Sequence, residues 1–142
     1  EISDTVNMFL NLGILETEIR KYQSRPDLEG REQAHAPDYS FSAGLSWEIS
    51  NNVEFLLDIN GKSDFYYSDS HNNSSDDYIL TNMNLIYEKE NINLNFWIRN
   101  IFDEYYSLRG FYFGNEPPNF EDTLYERHGD PRNYGVTFRY DF

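Results

Sequence analysis

The sequence predicts an all-β protein, a portion of an antiparallel transmembrane β-barrel with about six strands. Three observations carry that expectation. Apolar and polar residues alternate with period two through six separate runs. The connections between the runs are in turn long, short, long, short and long. The sixth run, "NYGVTFRYDF", is amphipathic throughout and finishes on Phe142.

The first run, 6–14, sets Val6, Met8, Leu10, Leu12 and Ile14 against Asn7, Phe9, Asn11 and Gly13. In the second, 39–49, Tyr39, Phe41, Ala43, Leu45, Trp47 and Ile49 alternate with Ser40, Ser42, Gly44, Ser46 and Glu48. The third, 53–67, puts Val53, Phe55, Leu57, Ile59, Phe65 and Tyr67 on one face. Glu54, Asp58, Asn60, Lys62 and Asp64 take the other. Asn60-Gly61 inside this run is a two-residue hairpin signal. The outward residues are odd-numbered on both sides of Gly61, however, which favours one long strand.

The fourth run, 78–88, places Ile79, Thr81, Met83, Leu85 and Tyr87 opposite Asn82, Asn84 and Glu88. The fifth, 91–100, places Ile92, Leu94, Phe96 and Ile98 opposite Asn91, Asn93, Asn95 and Arg99. The sixth, 133–142, places Tyr134, Val136, Phe138, Tyr140 and Phe142 opposite Gly135, Thr137, Arg139 and Asp141. No segment has a convincing helical period.

The connections point to a membrane. Segments 15–38, 68–77 and 101–132 are long and polar, whereas Ser50-Asn51-Asn52 and Lys89-Glu90 are tight turns. Structureless loops beyond ~12–15 residues are uncommon in compact domains. Long loops at one end of the strands with short turns at the other are the outer-membrane barrel pattern, with the long loops outside. A mean hydropathy of −0.75 fits, because a barrel shows only alternate residues to lipid. Trp47, Tyr87, Tyr140 and Phe142 fall near the short-turn end, and Tyr39, Phe65, Tyr67 and Tyr134 near the long-loop end. Two such belts are what lipid interfaces select. Two alternatives stay open. One is a soluble aromatic-rich β-sandwich binding module. The other is an oligomeric outer-membrane channel to which each chain contributes its strands.

Composition narrows the function. A formal net charge of −14 argues against nucleic acid as a partner. Aromatic residues make up 18% of the chain, which argues against disorder. The absence of cysteine removes disulfides, thiolate metal sites and cysteine nucleophiles.

Several stretches together resemble the C-terminal end of the β-barrel of TonB-dependent outer-membrane receptors. They are "NLGILETEI", "GREQAHAPDYSFSAGLSWEI", "YILTNMNLIYE", "FWIRNIFDEYY" and "GDPRNYGVTFRYDF". The strongest pieces are Asn100-Ile101-Phe102-Asp103 followed by Tyr105-Tyr106, and Gly129-Asp130-Pro131-Arg132 leading into the aromatic end. The resemblance covers Val6 to Phe142 and implies the last six strands of a 22-stranded barrel. It implies a plug domain and a TonB box that engages TonB, both absent from these residues. It implies energised uptake of a scarce substrate such as a ferric siderophore, across a Gram-negative cell outer membrane. It also implies that the terminal aromatic strand (Tyr134, Val136, Phe138, Tyr140 and Phe142) is a signal read by the barrel-assembly machinery. On this reading the partners are outer-membrane lipid, the plug and the remaining strands. The missing part is expected upstream, and Phe142 at the true C-terminus.

No enzyme, cofactor or metal site is expected. As an EF-hand loop starting at Asp69, the stretch lacks glycine at Ser74 and glutamate at Leu80. Asn72 and Asn73 match the weak N-x-[ST] pattern. His35, His71 and His128 lie in expected outer loops without ligand spacing. Glu48, Glu54, Asp58, Asp64, Arg99, Arg139 and Asp141 are expected to line the lumen and pair across strands. Candidate substrate contacts in the last outer loop are Tyr105, Tyr106, Arg109 and Tyr112, with Phe111 and Phe113 beside them. Arg109 and Arg127 are the cations suited to an anionic chelate.

Overall fold

The computed structural model describes residues 4–142. Eight strands form: β1 (Val6–Ile14), β2 (Tyr39–Ser50), β3 (Val53–Lys62), β4 (Tyr78–Lys89), β5 (Ile92–Arg99), β6 (Ser107–Phe113), β7 (Thr123–His128) and β8 (Asn133–Tyr140). Six of them make one antiparallel sheet in the order β1-β2-β3-β4-β5-β8. The remaining two, β6 and β7, pair as a separate hairpin.

The register turns the sequence alternation into two faces. Met8, Leu45, Leu57, Met83, Ile98 and Tyr134 lie side by side across all six strands of the sheet. The next row down is Val6, Trp47, Phe55, Leu85, Phe96 and Val136. This apolar face is uncovered: Leu10 is 72% exposed, Val136 60% and Phe138 63%.

The opposite face carries Asn7, Ser46, Leu56, Asn84, Trp97 and Gly135 in one row. Among the described residues, Asp58–Arg99 is its one cross-strand pair of opposite charges. Asp58 accepts bonds from the Asn60 and Asn82 amides, both at 2.8 Å, and sits 3.8 Å from the Arg99 guanidinium. Glu54 stands opposite Glu48 and accepts a hydrogen bond from the Ser46 hydroxyl at 2.8 Å. Arg139 pairs with Asp141 at 3.0 Å.

Asn60-Gly61 does not form a turn; both residues stay in register with β2 and β4. The first reversal falls at Asn51-Asn52, as expected. The second falls at Glu90-Asn91, one residue beyond the expected Lys89-Glu90, because Lys89 stays paired in β4, and Glu90 takes the left-handed region at φ 52°.

Three expectations need correction. The third strand ends at Lys62, not Tyr67. Its neighbours run out there: β2 begins at Tyr39 and β4 at Tyr78, and the last rung is the Ser63 N–H donating to the Tyr39 carbonyl. Phe65 and Tyr67 therefore leave the outward belt and are buried in the loops, 2% and 4% exposed. Their alternation persists because Tyr66 makes a lone antiparallel bridge with Ser74. Asp64, expected in the lumen wall, lies in the exposed loop beyond the strand. Finally, the segment 101–132 is not all loop but contains the β6–β7 hairpin.

Among the described residues, the buried apolar side chains are Leu28, Phe65 and Tyr67, and all three lie outside the sheet. A soluble sandwich buries its core between two sheets. Here no second sheet covers the first among the described residues.

Candidate functional site

The three long connections gather at one end of the sheet into a tied layer. Segment 15–38 folds back on itself through Ile19 N–H to the Arg31 carbonyl and Gly30 N–H to the Ile19 carbonyl. A single 3-10 turn, Pro26–Leu28, follows and buries Leu28. Arg31 then clamps this segment to the next loop. Its guanidinium donates to the Ser68 carbonyl at 2.6 Å and the His71 carbonyl at 2.7 Å, and lies 4.6 Å from the Tyr66 ring centroid. Arg25 adds a bond to the Ser70 carbonyl at 3.2 Å. The Asp69 carboxylate accepts the Ala34 N–H at 2.8 Å, which gives that acidic stretch a structural use.

The hairpin docks on this layer through Tyr67. Its ring lies over Gly110, where a Cβ would come within 2.5 Å of it, so only glycine permits the approach. The Tyr67 hydroxyl donates to the Glu126 carboxylate, and the Ser107 hydroxyl donates to the same oxygen at 2.8 Å. Those two bonds hold the Glu126 carboxyl below its usual range. Burial, and then the bond to Glu126, pushes the Tyr67 phenol up to about 12. On the same side Tyr112 stacks on His71 at 3.6 Å between centroids and its hydroxyl donates to Asn73. His71 also lies 3.5 Å from Asp122.

The two strongest sequence motifs meet at the base of the hairpin. Asn100, 4% exposed, donates to the Glu104 carbonyl at 2.9 Å and to the Asp130 carbonyl at 3.1 Å. Its own Oδ1 accepts the Glu104 N–H at 2.8 Å. Asp103 accepts the Arg132 N–H at 2.7 Å. The Gly129 N–H donates to the Tyr106 carbonyl, and the Tyr106 ring covers Gly129 so closely that a Cβ would overlap it.

The four candidate contact residues thus share one layer but differ in availability. Tyr105 is 75% exposed and stacks on His128 at 4.4 Å. Tyr106 is half-buried against Tyr78. Tyr112 is engaged by both ring and hydroxyl. Arg109 is exposed and stands directly opposite Arg127. Phe111 stacks on Tyr125 at 5.7 Å, and Phe113 is exposed.

Sequence reasoning did not single out Arg31, Tyr67 or Glu126 for this layer. Tyr67 was legible only as an alternating aromatic, and Glu126 carried no local signal. The proposed assembly strand, β8, shows Tyr134, Val136, Phe138 and Tyr140 on the exposed apolar face, and Phe142 lies against Tyr140 beyond the strand end. Among the described residues no three or more histidine, aspartate or glutamate side chains converge as metal ligands.

No family model matches the chain. Its fold does match solved structures. The ferric yersiniabactin uptake receptor FyuA from Yersinia pestis superposes with a TM-score of 0.81 at 16% identity, over 99% of this chain and 22% of that one. The siderophore receptor PiuA from Acinetobacter baumannii gives 0.80 at 13% identity, over 99% and 20%. The ferric-catecholate import receptor Fiu from E. coli K12 gives 0.75 at 13% identity, over 99% and 19%. The chain spans about a fifth of each. At these identities the likeness is one of fold.

Proposed function

We propose that this chain, which has the barrel fold of TonB-dependent outer-membrane receptors, forms part of the wall and outer loops of such a receptor. The single observation that carries the reading is the uncovered apolar face. It runs unbroken across six strands, while among the described residues the buried apolar side chains sit in the loop layer. Water does not tolerate a face of that extent without a partner, and bilayer lipid is the solvent that a single-layer sheet with aromatic ends fits. The loop layer then stands outside, and β1 and β8 are edges that further strands must pair, since an open edge in lipid costs several kcal/mol per unpaired group.

On this reading the cargo is a scarce substrate such as a ferric siderophore, in keeping with a siderophore receptor (PiuA), a ferric yersiniabactin uptake receptor (FyuA) and a ferric-catecholate import receptor (Fiu) among the similar structures. The plug domain and TonB box would lie elsewhere in the receptor. Energisation through TonB, non-enzymatic action and residence in a Gram-negative outer membrane follow from the same reading. The aromatic strand Tyr134, Val136, Phe138, Tyr140 and Phe142 would be presented to the barrel-assembly machinery.

The test is fractionation with uptake. The protein, tagged in the 15–38 loop, is expected in the outer-membrane fraction with the tag accessible on intact cells. Cells lacking it are expected to lose uptake of a labelled ferric chelate. Recovery in the soluble fraction would overturn the reading.

A further inference from the structure

We propose that Arg109 and Arg127 form a paired-guanidinium site for an oxygen-rich anionic group, the carboxylate or catecholate of a chelate or the phosphate of a lipid headgroup. The two residues are direct cross-strand partners in β6–β7. Opposed like charges in that position are destabilising. Neither makes an ion pair or side-chain hydrogen bond among the described residues, whereas Arg25, Arg99, Arg132 and Arg139 each hold a carboxylate. The chain has 25 acidic residues against 11 basic ones, so an unneutralised cation pair is not a matter of short supply.

The backbone creates the pairing. Ser107 opposes His128, and a regular ladder from that rung would set Arg109 opposite Glu126, a complementary pair. The irregularity between Ser107 and Arg109 shifts the register by one residue, so that Gly110 faces Glu126 and Arg109 faces Arg127. Bulges of this kind re-aim side chains and concentrate beside functional sites. Glu126 is the sole carboxylate within the two strands. It is adjacent to Arg127 in sequence, so the pleat turns it to the opposite face, where Tyr67 and Ser107 hold it.

What surrounds the pair narrows the ligand. Two residues along β6 on the same face, Phe111 is 48% exposed and stacked on Tyr125. The Tyr125 hydroxyl is committed to Glu116 at 2.7 Å, so the flank is offered as ring surface. Two forked donors beside two rings suit an anion that carries a planar or apolar portion. Where the anion is the transported chelate, the site rests on the receptor reading above; occupation by a lipid phosphate does not.

The experiment uses the intact protein extracted in detergent. Wild type, Arg109→Gln, Arg127→Gln and Arg109→Lys are titrated with ferric citrate, a ferric tris-catecholate and lipid A micelles, following thermal stability and binding. At least one anion is expected to bind wild type and to bind either glutamine variant about tenfold more weakly or worse. The lysine variant should lie between, since it keeps charge but not the fork. Response to the chelates alone assigns the transported ligand, and response to lipid A alone assigns the headgroup. Equal binding by all variants, or no binding of any probe by wild type, overturns the site. Uptake by cells carrying wild type reports separately on the receptor reading.

Discussion

Asn100 binds Asp130 across thirty residues of sequence, its side-chain amide donating to the Asp130 carbonyl at 3.1 Å. The same side chain exchanges two bonds with Glu104, and its backbone N–H donates to Asn82 at 2.9 Å. It does this from the left-handed region, at φ 50°, which asparagine tolerates better than most residues. The end of β5, the entry to the hairpin and the approach to β8 are thus held at one buried point.

Asn100→Ala is therefore expected to cost about 2–4 kcal/mol, from three lost side-chain bonds and a strained backbone. Asn100→Gly keeps the backbone permissive and should fall between alanine and wild type. Thermal unfolding of the detergent-extracted protein measures both. A wild-type transition in the alanine variant would show that the knot does not hold the fold.

The Tyr67–Glu126 bond makes hairpin docking pH-dependent in two windows. The Glu126 carboxyl is depressed in the folded state, so its contribution is present above the ordinary carboxylate range and fades as pH falls through the lowered value. Tyr67 is raised from 10.0 to about 12, so its contribution is full below pH 10.0 and is lost as pH climbs towards 12. Protection of the β6 and β7 amides, taken relative to the intrinsic exchange rate at each pH, should fall at both extremes. Glu126→Gln should remove the acid limb of this contribution, and Tyr67→Phe the alkaline one. Constant protection across both windows in wild type would contradict the coupling.

The sheet was legible because its register is the alternation itself. Once Leu45, Leu57 and Met83 share a face, every neighbour on those strands follows with period two. The loop layer was less legible. Phe65 and Tyr67 keep the strand parity, and only the absence of a partner beyond Ser63 and Tyr78 removes them from the wall. The β6–β7 hairpin was hidden because its faces break the usual rule: Arg109 and Phe111 share one side, Gly110 and Tyr112 the other. Glu126 became visible only when Tyr67, remote in sequence, arrived over Gly110. The Asn100 and Gly129 motifs were seen as separate signatures, while their joint role needs the three-dimensional return of the chain.

Gly110 should not accept a side chain. A Cβ there would lie 2.5 Å from the ring of Tyr67, which is buried and cannot swing away. Gly110→Ala should lift the hairpin and make the strands β6 and β7, with the already exposed tip 115–122 between them, more sensitive to protease, while the six-stranded sheet stays intact. Adding Tyr67→Ala should restore part of the protection, a non-additive outcome that a purely local effect of alanine would not give.

The adjacent residues Leu56 and Leu57 offer a direct test of which face meets lipid. Leu57 stands mid-strand in the row with Met8, Leu45, Met83, Ile98 and Tyr134, whereas Leu56 shares its row with Asn7, Ser46, Asn84, Trp97 and Gly135. Arginine facing lipid near the bilayer midplane costs about 2–4 kcal/mol. In a hydrated lumen it meets water and the polar neighbours of Asn84 and Asp58. Leu57→Arg is therefore expected to lower the folded, outer-membrane-inserted yield several-fold, and Leu56→Arg to leave it close to wild type. Both changes add the same charge to the same strand, so translation and secretion effects cancel in the comparison. A larger loss for Leu56→Arg would invert the two faces, and equal losses would remove the argument that one of them lies in lipid.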